Sequence, residues 1–403
     1  PSGNAWRPRN IALDGRVARS PRKISPMMRP DLIESLHRSP AQGVLAIAGG
    51  GAAAIGRLLE TPGASATVLE AVVPYAAASL CDWLGDEPRG ACSAETARSM
   101  AVRAWERARQ LAATHAERRS LFGLGATAAL ATNRQRRGAN RAHVAAHSAE
   151  RTLLVSLDLA KGRRSRGEEE AIVSHTIVAA VATIAGVHSL DLSKTPPGVE
   201  ATVRDQPADP AWADLLLGDR SVVPLNGAPS PGDGSVCLLP GSFNPPHEGH
   251  DAIARIAAER TGRPIAYEVS IENVDKPSLD HLAIAERVAA LGDRPAWLTR
   301  SPRFIDKARL APGACFAIGA DTAARLGDAR YAADDRTQRD AEFAEIARLG
   351  GRFLVFGRRF NGRFHELGDL DLPPGLRELC EAVPEEAFRH DVSSTELRAM
   401  RGD

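Results

Sequence analysis

Apolar and polar positions follow two regimes along this chain. From Asp31 to about His188 the sequence is alanine-rich and mostly helical in spacing. "PDLIESLHRS" opens on Asp31, an N-cap candidate, and "GVLAIAGGGAAAIGRLLE" reads as an apolar strand, a turn at Gly49, Gly50 and Gly51, and a helix. "CSAETARSMAVRAWERARQLAATHAERR" has helical periodicity behind a Ser93 cap. "RAHVAAHS" and "RTLLVSLDLA" read as two strands joined through "AER", and "GEEEAIVSHTIVAAVATIAG" as a long helix with a buried face. Between residues 189 and 235 Pro, Gly and Asp are dense and the pattern is lost, which predicts a linker. From Val236 onward, strand-like runs alternate with helical ones. They are "VCLLP", "PIAYEVSI", "PAWLT", "ACFAIG" and "RFLVFG", with helices expected at about 249–260 and 280–291 after the first two. This β-then-α order predicts a parallel sheet covered by helices, with ligands outside the carboxyl ends of its strands.

The 403 residues suit two or three domains, and 43% hydrophobic with 25% charged residues fits a globular chain. A formal charge of +1 gives no field favouring nucleic acid or an anionic membrane, and 4% aromatics leave few base-stacking platforms. No apolar run is long enough for a bilayer, so neither nucleic acid nor membrane is expected as a partner. Five cysteines, odd in number and without a C-x-x-C pair, argue against a zinc ribbon or disulfide framework and fit a reducing, cytoplasmic location. Residues 1–29 carry Arg7, Arg9, Arg16, Arg19, Arg22, Lys23 and Arg29 against Asp14, with no apolar core of a secretory signal. They read as a disordered basic leader, the alternatives being an organellar transit peptide or an over-long start before Met27 or Met28.

The candidate chemistry lies after "VCLLP". There "GSFNPPHEGH" runs from a strand end into a helix start and places His247 and His250 three apart on the first helical turn. Unpaired backbone N–H groups and the helix dipole favour an anion at such a terminus, and two imidazoles add donors for charge that builds during phosphoryl or nucleotidyl transfer. Gly241 allows the tight turn, and Gly249 lets the backbone approach a nucleotide closely. A helical zinc motif needs its histidines four apart, and no third ligand has a clear spacing, so no metal site is expected here. Near the end of the chain, "HDVSSTELRAM" puts Ser393, Ser394 and Thr395 at another helix start. Ser393 and Glu396 have capping-box spacing, with Arg398 about one turn in, and together they suit a polyphosphate.

These residues resemble the nucleotidylyltransferase superfamily, and within it the nicotinate/nicotinamide mononucleotide adenylyltransferases. The matching pieces are "GSFNPPHEGH", "AIGADTAARL" and "VSSTELR", over roughly Val236 to Arg401. The resemblance implies a Rossmann-like fold for residues 236–403, with ATP over the H-x-G-H loop. A mononucleotide phosphate then attacks the α-phosphate and pyrophosphate leaves, with Mg²⁺ arriving with ATP. It implies that His247, His250 and Arg398 contact the reacting phosphates. Gly241, Ser242, Phe243 and Gly249 would line the nucleotide, Ser393, Ser394 and Thr395 would hold the β- and γ-phosphates, Lys276 would bind a phosphate, and Gly319, Asp321 and Thr322 would border the crevice. Asp321 also reads as a helix N-cap. Trp297 reads as core before it reads as a ring contact. The partners implied are ATP and a small phosphorylated acceptor. A cytidylyltransferase acting on an alcohol phosphate, and a non-catalytic nucleotide sensor, remain the other readings.

The first half resembles the C-terminal domain of the CinA family, which includes nicotinamide mononucleotide deamidases. The likeness covers residues 30–188 and rests on the glycine turn, "TPGAS", "VPY" and "S-x-E-T-A". It implies a separate α/β domain ahead of the Rossmann-like one. Active members carry a serine before the Gly-Gly and a lysine shortly after the tyrosine; this chain has Ile47, Ala48 and Gly49 in the first place and, counting from Tyr75, Leu80 in the second. Deamidase chemistry is therefore not expected. The domain reads as a degenerate mononucleotide-binding or homo-oligomerising module, or as structural support, with the glycine turn as its candidate phosphate site.

Overall fold

In the computed structural model, residues 30–388 are described apart from 113, 115, 134–136, 192–194, 233, 274–276, 329–334 and 361. The chain opens with α1 (Pro30–His37), β1 (Gln42–Ala48), α2 (Ala53–Glu60), β2 (Val68–Val72), α3 (Ala77–Leu84) and α4 (Ala94–Leu111). Strands β3 (Leu121–Ala129), β4 (Asn140–Ser148) and β5 (Arg151–Leu159), helix α5 (Arg166–Ile184) and strand β6 (Val199–Pro207) follow. The six strands form one mixed sheet in the order β2-β1-β3-β4-β5-β6. The first three are mutually parallel and the rest antiparallel. Ser93 caps α4 by accepting from Thr96 N at 3.1 Å, and Ser165 with Glu168 closes a capping box on α5.

Strand β3 sits at the centre of this sheet although its sequence, LFGLGATAA, carries no branched β-former pattern. Its glycines set the packing instead. A Cβ on Gly123 would lie 2.1 Å from Ala101 O, and one on Gly125 would lie 2.2 Å from Ala97 O, so α4 rests directly on the strand backbone. Helix α5 covers the opposite face, where Leu45, Ile47, Phe122 and Leu124 meet Val173 and Ile177 in one apolar cluster.

A second unit begins inside the segment expected as a linker. Helix α6 (Pro210–Leu217) and strand β7 (Val222–Leu225) precede β8 (Cys237–Pro240), α7 (Glu248–Thr261), β9 (Ile265–Ser270), α8 (His281–Leu291), β10 (Ala296–Thr299), α9 (Phe304–Leu310), β11 (Cys315–Gly319), α10 (Ala320–Gly327) and α11 (Arg336–Arg348). Then come β12 (Arg352–Phe356), the hairpin β13 (Arg358–Phe360) and β14 (Arg363–His365), α12 (Pro374–Arg377) and β15 (Cys380–Val383). The linker expectation fails at β6 and β7 for a physical reason. Strand β6 is an edge, exposed along most of its length, so its sequence shows no apolar run; β7 is only four residues long.

The second sheet has the order β15-β12-β11-β8-β9-β10-β7. All pairs are parallel except β10 with β7. Its first parallel strand, β8, is central. The chain builds outward through β9 and β10, then crosses back to β11 on the other side of β8. That reversal is the switch point of a Rossmann-like sheet, the place where such sheets open a ligand crevice. The β8–β11 pairing stops after Leu238 and Phe316, so the two strand ends part there.

The two units share a core. One apolar cluster joins Val44, Trp105 and Leu121 of the first unit to Leu216, Tyr267 and Ile284 of the second. Among the described residues no helix is long and apolar enough to cross a membrane.

Candidate active site

The turn after β8 is shaped by contacts that the sequence only hints at. Gly241 N–H donates to Glu268 O at 3.0 Å, tying the turn to β9. A Cβ on Gly241 would fall 2.8 Å from the Phe243 ring, so this position needs glycine. Phe243 itself has φ +44, in the left-handed region that a bulky residue rarely occupies. Such a conformation costs about 1–3 kcal/mol. Burial of a phenylalanine ring returns about 1.5–3 kcal/mol, and the Phe243 ring is 1% exposed. It also packs edge-on against His250 at 5.0 Å and against Tyr267 at 5.1 Å. Packing thus offsets the strain, and it sets the ring against the histidine. Ser242 beside it is exposed.

His247 is the N-cap of α7, and Gly249 is buried in the first turn. The His247 backbone N–H donates to His250 Nδ1 at 3.1 Å, and the two imidazoles stack with centroids 3.8 Å apart at 30°. With Nδ1 accepting, the neutral His250 ring carries its proton on Nε2, the nitrogen able to donate to an anion. Burial, the neighbouring His247 ring and the Arg358 guanidinium push the His250 pKa down to about 3. The ring is therefore a neutral donor at physiological pH, a state suited to polarising a charged oxygen without taking its proton.

A polar lock fixes this turn. Asp251 accepts from Arg294 Nε and Nη2 at 2.7 and 2.8 Å and from the Tyr267 hydroxyl at 2.7 Å. The Arg294 hydrogen bonds hold the Asp251 carboxyl below its usual range. Helix α7 is thereby joined to β9 and to the α8–β10 connection, one residue beyond His250. Sequence reasoning missed Asp251, Tyr267 and Arg294. An aspartate directly after the H-x-G-H step was the available signal; Arg294 offered none.

On the other side of the crevice, Gly319 is the N-cap of α10. Asp321 therefore lies in the first turn and is not the cap, and Thr322 follows it. A Cβ on Gly319 would lie 2.4 Å from Asp321 Oδ1 and 3.9 Å from Arg358 Cβ, so glycine lets the carboxylate and the β13 arginine close in over the strand end. Arg358 was not foreseen, although it belongs to the basic run "GRRFNGRFH". The structure thus brings Gly241, Phe243, His247, Gly249 and His250 together on one loop, with Gly319, Asp321 and Thr322 on the adjacent strand end. Lys276, Ser393, Ser394, Thr395 and Arg398 lie outside the described residues. Trp297 is buried, and its Nε1 donates to Pro229 O at 2.8 Å, which is a core role. Among the described residues, no group of three or more His, Cys, Asp or Glu side chains is placed to hold a metal ion.

The first unit has a comparable glycine turn with a different outcome. Gly49 and Gly51 have φ +81 and +94. The Gly51 and Ala53 amides, at the start of α2, donate to the Glu170 carboxylate at 2.7 and 3.2 Å. The candidate phosphate seat is therefore filled by a carboxylate of α5. Ala48 and Leu80 pack into one apolar cluster with Met100. Tyr75 is 67% exposed.

No curated protein matches the chain in sequence. A solved structure similar to it is the competence/damage inducible protein CihA from Agrobacterium tumefaciens, at 20% identity and a TM-score of 0.32, covering 38% of this chain and 94% of that one. The family model described as cytidylyltransferase-like matches residues 238–400, which include the H-x-G-H loop, the lock at Asp251 and the Gly319–Asp321 strand end. Over these residues the chain is similar to the cytidylyltransferase-like family of the nucleotidyltransferase superfamily.

Proposed function

We propose that the protein is an ATP-dependent nucleotidylyltransferase whose acceptor is nicotinate or nicotinamide mononucleotide. A phosphate oxygen of the acceptor forms a bond to the α-phosphorus of ATP, the bond from that phosphorus to the bridging oxygen breaks, and pyrophosphate leaves. The observation that carries the reading is the stacked His247–His250 pair on the first turn of α7, at the switch point of the sheet. Neutral His250 donates from Nε2 toward the transferring phosphate, and the α7 terminus adds its dipole. Ser393, Ser394, Thr395 and Arg398 are assigned to the β- and γ-phosphates by their motif. Mg²⁺ is assigned to the incoming triphosphate, as in phosphoryl transfer generally. No covalent enzyme intermediate is required; positioning and charge stabilisation supply the rate.

CTP with an alcohol phosphate is the second reading, favoured by the description of the family that matches. Pyrophosphate release, followed with Mg²⁺, each of the four NTPs and a panel of mononucleotides and alcohol phosphates, decides between them. Turnover with ATP and a pyridine mononucleotide supports the first reading. Turnover confined to CTP selects the second, and tight NTP binding without pyrophosphate would mean a sensor.

A further inference from the structure

The first unit grips one particular part of the second. Between β9 and α8 the chain leaves the sheet at Ile271 and returns at Leu279, whose N–H donates to Ile271 O at 2.7 Å. The outgoing foot is held within the second unit, where Glu272 pairs with Arg300. The returning foot is held by the first unit. Glu106 of α4 accepts from Ser278 N at 3.1 Å and from Ser278 Oγ at 2.7 Å. Arg98 of α4 makes a two-pronged pair with Asp280, at 2.6 Å from Nε and 2.6 Å from Nη2. Asp280 is 4% exposed and also caps α8 by accepting from Ala283 N at 2.8 Å. His281 N–H donates to Thr152 Oγ1 at 3.1 Å, and Leu282 joins Ala97, Ala101, Ala145 and Leu154 in an apolar cluster. Helix α8 lies against β5 and β6, so it belongs to the packing of both sheets.

That connection starts at the crevice. Strand β9 is the neighbour of β8, and Glu268 of β9 holds the Gly241 turn. In an in-line transfer the attacking and leaving oxygens lie on opposite sides of the phosphorus. If the nucleotide lies toward the β11 side, bordered by Gly319 and Asp321 as the resemblance implies, the acceptor approaches from the β9 side. We propose that the first unit sets the acceptor side of the transfer site, with Arg98 and Glu106 as positioning residues that hold Asp280 and Ser278 at the start of α8. The claim rests on the transfer reaction proposed above. A buried, bidentate arginine–carboxylate pair fits this task because it fixes both distance and angle. It also answers why a unit without deamidase residues is packed onto a transferase.

The test uses the full chain and steady-state kinetics with each substrate varied in turn. Arg98→Ala is expected to raise the KM for the mononucleotide about tenfold or more, with the KM for ATP little changed. Arg98→Lys, which keeps the charge and loses the fork, should recover only part of that loss. If Arg98→Ala does not fold, Glu106→Ala against Glu106→Gln gives the same comparison, because glutamine retains an oxygen that can accept from Ser278. Arg151→Ala, which breaks an exposed pair with Asp205 elsewhere in the first unit, is the control and should behave as wild type. A loss of kcat alone with both KM values unchanged, or kinetics identical to wild type, would overturn the positioning role while leaving the transferase reading standing. A wild-type protein inactive with every NTP and acceptor would remove the reading and this inference together.

Discussion

Two glycine turns in this molecule lead from a parallel strand into a helix start, and they have opposite fates. After β1, the Gly51 and Ala53 amides are already bonded to Glu170. After β8, the helix start carries two stacked imidazoles, and His250 is left as a neutral donor. Both turns have the backbone that binds phosphate elsewhere. The difference is what the rest of the chain puts in front of it. A single carboxylate from α5 is enough to turn the first into a structural joint, whereas the Phe243–Tyr267–Asp251 packing fixes the second with its imidazoles in place.

The sharpest way to break the comparison is to remove a donor from the second turn. His250→Ala should lower the rate of pyrophosphate release by about 10²–10³-fold, the usual cost of losing one group that stabilises developing charge, while the circular dichroism spectrum stays that of wild type. An unchanged rate would mean that the two turns do not differ in the way described. Glu170→Ala makes the converse change. Two amides lose their acceptor, which costs about 1–3 kcal/mol and lowers the melting temperature, with turnover at the second turn unaltered. Inorganic phosphate should then raise the melting temperature of the variant more than that of wild type, because the seat is open again. No effect of the substitution on melting would show that the carboxylate is not what fills it.

How much of this was legible beforehand depended on separation along the chain. The H-x-G-H loop, the β-then-α alternation and the Ser93 cap are local patterns, and they emerge where expected. The bond from Glu170 to Gly51 joins residues 119 positions apart, and nothing at either position announces the other. Strand β3 escaped because glycine and alanine there serve the close approach of α4, which leaves no alternation to read. Strand β6 escaped because its polar edge looks like a linker. The Arg98–Asp280 grip spans 182 positions and two units, so no window of sequence contains it.

A smaller effect on stability is expected with pH. Burial holds His147, which touches the α8 start through His281, down to about 3, and His250 is held at a similar value. Both folded values lie below the unfolded value of about 6.5. Between the two values the unfolded chain binds more protons, so stability is full above about pH 6.5 and falls as the pH drops toward 3. The urea midpoint should therefore be lower at pH 5 than at pH 7, and His147→Gln should flatten that dependence. An equal midpoint at both values would contradict the neutral, buried assignment.

The most direct test of the central claim is nitrogen NMR of the histidine side chains as ATP and Mg²⁺ are added. The His247 and His250 resonances should move, with His250 Nδ1 remaining an acceptor and the Nε2 proton entering a new hydrogen bond, while His37 and His143 in the first unit stay in place. Unmoved His247 and His250 signals at saturating ATP would contradict it.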